Sequence, residues 1–333
     1  MAQATLFLDL DGTELSTEER TLLTRAHIGG VILFGRNTQS AKQVAELIEA
    51  IREIRPDLVI SIDQEGGRVQ RLKNGVTVLP PVNVLSQVYA LDKARGLSAS
   101  RQMGYLMAAE MRLLDIDLSF APVLDVNYDR NTVIGNRAFA NDHLTVCALS
   151  AEYIKGMRDA GMSATAKHFP GHGWADADTH HNDAIDERTF EQLWNTDMLP
   201  FREAIDNGVE GMMFAHVLYP NCASDPAGYS DYWMKEVLRE RLAFSGFVFS
   251  DDLSMKAAEA AGGYKQRAEK AIAAGCQVLL CCNDRSGTIE VLNYLESLEC
   301  EDVLDLSDLK GSAWQVDNTR LNEARLLVKE LMD

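Results

Sequence analysis

Eight short apolar runs, spread along the whole chain and separated by longer amphipathic stretches, constrain this sequence more than any other feature. They are LFLDL (6–10), GVILFG (30–35), LVISID (58–63), LSFAPVLDV (118–126), SATAKHF (163–169), GMMFAHV (211–217), GFVFSD (246–251) and QVLLCC (277–282). In the stretches between them apolar residues recur at helical spacing. Val44, Leu47, Ile48 and Ile51 share one face, and Met103, Met107, Met111 and Leu114 share another. Near-continuous apolar strands belong to a parallel sheet covered on both faces. Eight such units in 333 residues predict an α/β fold, a (β/α)8 TIM barrel forming a single domain over 1–333, rather than an open doubly wound sheet. A terminal helix is expected from about 318 to 332. The longest connections without a clear period, 64–96, 127–141 and 170–187, are longer than structureless loops usually are unless they carry function.

Charge and composition narrow the function. Fifty acidic against 32 basic residues give a net charge of -18, which argues against nucleic acid, whose binding needs a surplus of Lys and Arg. The start, MAQATLFLDLDG, lacks the basic region of a secretory signal, and no stretch approaches a membrane-spanning length. A soluble cytoplasmic protein with no membrane contact is expected. The six cysteines (Cys147, Cys222, Cys276, Cys281, Cys282, Cys300) contain no C-x-x-C and sit mostly in apolar segments, as buried free thiols would.

In a parallel barrel the site is built from strand C-termini and the loops that follow. Those ends carry Asp9 and Asp11, Arg36 and Asn37, Asp63 and Glu65, Asp125 and Asn127, Lys167 and His168, His216, Asp251 and Asp252, and Asn283 and Asp284. Any one of them could be ordinary loop polarity. As a ring of carboxylates, cations and histidines they suit a neutral, hydroxyl-rich ligand.

Three segments stand out. IDQEGGRVQRL (62–72) places a glycine pair, suited to a tight turn, before Arg68 and Arg71. KHFPGHGWADADTHHNDA (167–184) holds four histidines, His168, His172, His180 and His181. They could be metal ligands, although no H-E-x-x-H is present. The alternatives are a solvated loop, or an acid/base loop in which Asp178 orients His180. FVFSDDLSM (247–255) sets an aspartate at the end of an apolar strand, where a nucleophilic or electrostatic carboxylate belongs. Strand alternation sends Asp251 and Asp252 to opposite sides, so one should face the mouth; Asp252 is expected to serve a structural hydrogen bond or a helix cap.

The set IDQEGGRVQR, IGNRAF (134–139), KHFPGHG with Asp178-Thr179-His180, and FSDDLSM resembles the glycoside hydrolase family 3 β-N-acetylhexosaminidases of the bacterial peptidoglycan-recycling type, in order over roughly 5–300. The resemblance implies a barrel enzyme that removes terminal non-reducing β-N-acetylglucosamine from muropeptides, with retention, through a glycosyl-enzyme. It implies Asp251 as nucleophile, His180 as general acid/base with Asp178 as its orienting partner, and Asp63, Arg71, Arg137, Lys167 and His168 as sugar-binding residues. It implies no cofactor and no metal, a small carbohydrate or muropeptide substrate, and no obligate protein partner. The sequence departs from the family pattern at Thr179, where serine is usual, and at His181, a second adjacent imidazole. Because the recycling substrate carries a carboxylate, the local cations Arg71, Arg137 and Lys167 should matter more than the global charge.

Two other classes compete. LFLDLDGTEL contains D-x-D-G-T (Asp9, Asp11, Gly12, Thr13), the pattern of haloacid-dehalogenase-type magnesium-dependent phosphatases, which predicts an open sheet and leaves KHFPGHG without a role. In the barrel reading the same segment is a first strand ending near the pocket, with Asp11 a candidate lining residue. A non-catalytic carbohydrate-binding barrel would keep Asp63, Arg71 and Lys167 but would need neither Asp251 nor the Asp178/His180 pair.

Overall fold

The computed structural model describes residues 4–130, 132–177, 184–298 and 304–332. Its centre is an eight-stranded sheet in which all pairs are parallel: β1 (Thr5–Asp9), β2 (Ile28–Leu33), β3 (Val59–Ile62), β4 (Leu118–Ser119), β5 (Thr165–Phe169), β6 (Gly211–Phe214), β7 (Phe247–Asp252) and β8 (Val278–Cys281). The spatial order is β4-β3-β2-β1-β8-β7-β6-β5. Parallel bridges Leu118↔Ser163 and Val123↔Lys167 join the two ends, with Thr165 N donating to Ala121 O at 2.8 Å, so the barrel closes.

All eight predicted strands are present, and the differences have local causes. The fourth was expected over 118–126 but stops at Ser119, because Pro122 has no N–H to give to a ladder. The sixth ends at Phe214, and Val217–Leu218 pairs instead with Ala184–Ile185 in a small sheet outside the barrel. The segment 64–96, expected to lack regular structure, contains the hairpin Gln64–Gly66/Val69–Gln70 and a helix, Val84–Leu91. Its turn uses the glycine pair: Gly66 and Gly67 have φ of 103° and 54°, which a side chain would resist.

The surrounding helices are α1 (Thr17–Leu22), α2 (Ala41–Ile54), α3 (Val84–Leu91), α4 (Lys93–Arg112), α5 (His143–Asp159), α6 (Phe190–Asn195), α7 (Met198–Asp206), α8 (Tyr264–Ala274), α9 (Arg285–Ser297) and α10 (Asn318–Met332), with a π-helix at Tyr232–Arg241. The terminal helix falls where the sequence put it. The apolar stripe of α2, Val44, Leu47, Ile48 and Ile51, is buried, and Ser40 caps the helix by accepting from Gln43 N. Among the described residues no helix is long and apolar enough to cross a membrane. Cys147, Cys222, Cys276, Cys281 and Cys282 are free thiols; Cys300 lies outside the described residues.

Strand alternation sorts the apolar residues into two cores. Val31, Ile60, Val248 and Leu279 face the helices, whereas Phe7, Ile32, Val59, Leu118, Phe120, Met213, Phe249, Val278 and Leu280 fill the barrel. Phe249 packs edge-on against Phe7 and Phe120, with centroids 6.0 and 5.4 Å away. Leu306 and Leu309 belong to the same interior cluster. The side chains that carry chemistry stand above this packed interior.

Candidate active site

Parity places the site. Phe249 points into the barrel, and Asp251, two residues on, lies on the same side at the strand end. By the same count Val59 leads to Ser61 and Asp63, and Thr165 leads to Lys167. These ends surround a cavity of about 230 Å³ lined by Asp63, Arg137, Lys167, His168, His172, Asp251 and Asp252 among polar residues. Phe34, Phe120, Val133, Met213, Met255 and Cys282 contribute its apolar walls. Of the sequence-predicted residues, Asp63, Arg137, Lys167, His168 and Asp251 thus come together. Arg71 is not in the lining; it touches the wall through Asp63, with Nη2 to Oδ2 at 3.1 Å, and its guanidinium lies over the Phe34 ring. Asp178, His180 and His181 lie outside the described residues. The strands flanking them, Asp176–Ala177 and Ala184–Ile185, pair antiparallel with Ala177 opposite Ala184.

Alternation fails at two strand ends, and both failures serve the cavity. Along β7 the register against β8 advances from Phe249↔Val278 to Asp252↔Leu280, three residues against two. Asp252 therefore also borders the cavity, contrary to the expectation that one aspartate alone would face the mouth. Its carboxylate is nevertheless occupied: Oδ1 accepts from Ser254 N and Cys282 N at 2.9 and 3.0 Å, and Oδ2 from Ser254 Oγ at 2.8 Å. This is the structural role expected for it, without a helix cap. Burial pushes its pKa up to about 6. Asp251 Oδ1 accepts the Asp252 N–H at 2.9 Å, and among the described residues no hydrogen bond reaches Oδ2. Similarly, β5 shifts by one residue against β6 between Met213↔Lys167 and Phe214↔Phe169, so Lys167 and His168 both line the cavity.

The cations are tightly compensated. Lys167 Nζ lies 2.9 Å from Asp63 Oδ1 and 2.7 Å from Glu65 Oε1. Arg137 grips Glu65 with both arms of its fork, Nε to Oε2 and Nη2 to Oε1 at 2.8 Å. Burial alone would push the Lys167 ammonium down, but Asp63 and Glu65 outweigh it and hold its pKa above the ordinary lysine value. Burial likewise opposes ionisation of Asp63 and Glu65; Lys167 and Arg71 around the first, and Lys167 and Arg137 around the second, hold them below the usual carboxylate range. Glu65 was visible in IDQEGGRVQR, but no role could be given to it from spacing.

Asp125, one of the strand-end carboxylates, likewise had no role from spacing. It is fully buried and accepts from His168 Nδ1 at 2.7 Å and from His172 N at 2.7 Å. Burial would raise its pKa, but His168 and His172 hold it below the ordinary value. Burial pushes the His172 imidazole pKa down. The motif glycine that follows is needed for space: a Cβ on Gly173 would lie 1.7 Å from Val126 O. Among the described residues no group of three or more His, Cys, Asp or Glu could hold an ion; of the four histidines of the metal reading, His180 and His181 lie outside them. His216 follows β6; it is buried and stacks on Tyr229 at 5.4 Å.

The remaining strand ends are structural. Asp9 is buried and takes Arg36 and Asn283 N, while Asn37 Nδ2 donates to Leu10 O and Gly12 O. Asp11 does not line the cavity; its side chain is 72% exposed and meets Arg285 at 3.2 Å. D-x-D-G-T is therefore a braced barrel loop, and the closed sheet removes the open-sheet phosphatase reading. Asp284 caps α9 by accepting from Gly287 N.

A closed parallel barrel with a carboxylate and cation-lined cavity at its C-terminal mouth defines a barrel enzyme acting on a polar, hydroxyl-rich substrate. Residues 5–310 match the model of the glycosyl hydrolase family 3 N-terminal domain, and the chain belongs to that family. It is a glycoside hydrolase of the β-hexosaminidase type. A β-hexosaminidase of Tolumonas auensis is 45% identical over 93% of this chain and 92% of its own length. The native NagZ structure from Neisseria gonorrhoeae superposes with a TM-score of 0.92 at 36% identity, covering 100% of this chain and 99% of that one. A structure of the same NagZ in complex with N-trifluoroacetyl-D-glucosamine gives 0.91 at 35% identity over the same shares.

Proposed function

We propose that this chain, read as a single catalytic barrel, is an exo-acting, retaining β-N-acetylglucosaminidase. It takes terminal non-reducing N-acetylglucosamine from muropeptides, GlcNAc-anhydro-MurNAc with or without peptide, in cytoplasmic peptidoglycan recycling. The observation that carries the reaction is Asp251 at the end of β7, facing a cavity shared with Asp63, Arg137, Lys167 and His168 and keeping Oδ2 without a protein donor among the described residues. The N-trifluoroacetyl-D-glucosamine complex of the Neisseria NagZ supports a hexosamine ligand. The choice of muropeptide rests on the motif resemblance.

In the first step Asp251 Oδ2 attacks the anomeric carbon while the bond to the leaving oxygen breaks, and His180, oriented by Asp178, gives that oxygen a proton. In the second step water attacks the same carbon, His180 takes its proton, and Asp251 leaves. Two inversions give retention. Asp63, Arg71, Arg137, Lys167 and His168 bind the sugar. Asp63, kept ionised by its cations, can accept from sugar hydroxyls, Glu65 holds Lys167 and Arg137 in place behind it, and the carboxylate of Asp251 stabilises the oxocarbenium-like transition state.

The test is hydrolysis of a chromogenic N-acetyl-β-glucosaminide without added metal, with and without Asp251→Asn, followed by mass spectrometry after a slow fluorosugar. The expected label falls on the peptide containing Asp251. A label elsewhere, or activity that survives the substitution, overturns the assignment.

A further inference from the structure

The sequence had pointed to Arg71, Arg137 and Lys167 as the cations that meet a substrate carboxylate. Each is already held by a carboxylate of its own: Arg71 by Asp63, Arg137 by Glu65, and Lys167 by both. A further anion would have to compete with buried partners at hydrogen-bond distance. Arg68 differs. It belongs to the same IDQEGGRVQR segment and is exposed, and no carboxylate of the described residues lies within ion-pair distance of it. It is nonetheless fixed, since Nη2 donates to Thr132 O at 2.8 Å and to Val133 O. Arg137 Nη1 donates to the same Val133 carbonyl at 3.1 Å, and the Val133 side chain lines the cavity. Two guanidinium groups thus converge on one carbonyl. Arg137, compensated by Glu65, is inside, and Arg68, with Nε and Nη1 free of hydrogen bonds to the described residues, is on the rim.

A cavity of about 230 Å³ has room for one sugar residue. Whatever is bonded beyond the glycosidic oxygen must pass over the rim. On a chain of net charge -18 the mean field repels anions, so an anionic leaving group needs a fixed local cation there. We propose that Arg68 is a specificity-determining residue that recognises a carboxylate on the leaving group, through the Nε–H and Nη1–H groups of a guanidinium whose Nη2 is held by the Thr132 and Val133 carbonyls. This rests on the muropeptide reading, because it presumes a leaving group that bears a carboxylate.

Three substrates with the same terminal N-acetylglucosamine test it: chitobiose, GlcNAc-MurNAc, and the methyl ester of GlcNAc-MurNAc. In Arg68→Gln, KM for the free acid should rise about three- to tenfold, between an exposed ion pair and a charge-assisted hydrogen bond. kcat should stay level, and the ester and chitobiose should be unaffected, which also reports that the variant is folded. Arg68→Lys should restore part of the difference. In the wild type KM for the acid should rise with salt, and that slope should shrink in Arg68→Gln. Equal losses on acid and ester, or no change on the acid, overturn the role of Arg68 alone. A wild-type enzyme that cleaves chitobiose but not GlcNAc-MurNAc overturns the muropeptide reading and this inference with it.

Discussion

Asp125 Oδ2 lies 2.7 Å from His168 Nδ1, and this contact decides which ring nitrogen is left for the cavity. A carboxylate held ionised accepts a hydrogen bond from Nδ1–H, so Nε2 is the edge available to substrate. The same carboxylate accepts the backbone N–H of His172 at 2.7 Å, tying together the two histidines of KHFPGHG.

Asp125→Asn keeps the shape but weakens these hydrogen bonds and offers the ring a donor as readily as an acceptor. Loss of hydrogen bonds to a charged group costs about 1.5–3 kcal/mol, so kcat/KM should fall about ten- to a hundredfold. Steady-state kinetics on the chromogenic glucosaminide, with circular dichroism to confirm folding, measure this. Unchanged kinetics would show that the ring orientation is fixed by other contacts.

Glu65 is placed to position Lys167 and Arg137. Glu65→Leu leaves the Arg137 guanidinium without its carboxylate and Lys167 with one of its two, and breaking a buried pair costs about 3–5 kcal/mol. Denaturant unfolding should show that loss. Glu65→Gln keeps an acceptor and should lose less stability while still raising KM.

Asp252 gives a pH signature of stability. Its carboxyl is raised to about 6 in the folded state from an ordinary aspartate value near 3.8. The folded state therefore holds the proton more tightly, and this group lowers stability as pH rises from about 4 to about 6. Asp252→Asn removes that slope while keeping an oxygen for Ser254 N and Cys282 N. Thermal melts should show the variant gaining on the wild type across that window, with a constant difference above it. A difference independent of pH would refute the shift.

Asp63, Glu65 and Asp125 act with the opposite sign. Their folded pKa values are depressed, so their contribution is complete above the unfolded carboxylate value near 4 and is lost as pH falls through the lower, folded values. Acid unfolding monitored by tryptophan fluorescence should show cooperative loss below about pH 4, and Asp63→Asn should flatten that limb.

His180 is separable from binding residues by leaving group. As general acid, its change to Ala should damage disaccharide turnover far more than turnover of activated aryl glycosides, which need little protonation. Equal losses on both would assign it to binding.

Local patterns carried the barrel and much of the site. Eight apolar runs with helical stretches between them were enough for the strand count, because period and burial are properties of neighbours along the chain. Strand alternation sent one of Asp251 and Asp252 towards the mouth, and the glycine pair of IDQEGGRVQR marked a tight turn. Where alternation broke, at Asp252 and His168, the cause was a register shift against the adjacent strand, a property of two strands that neither segment carries alone.

What the sequence by itself determined was therefore the (β/α)8 scaffold, the mouth as the location of the chemistry, and a short list of carboxylates, cations and histidines. What only the tertiary structure decided was their pairing. Glu65, Arg137 and Lys167 come from three different strand-and-loop units, and Asp125 and His168 from two, and Coulomb energy depends on distances of a few ångströms that no spacing along the chain encodes. Pairing is what neutralises Lys167, Arg137 and Arg71, braces Asp9 and Asp11 away from the cavity, and leaves Arg68 as a cation on the rim without a carboxylate among the described residues.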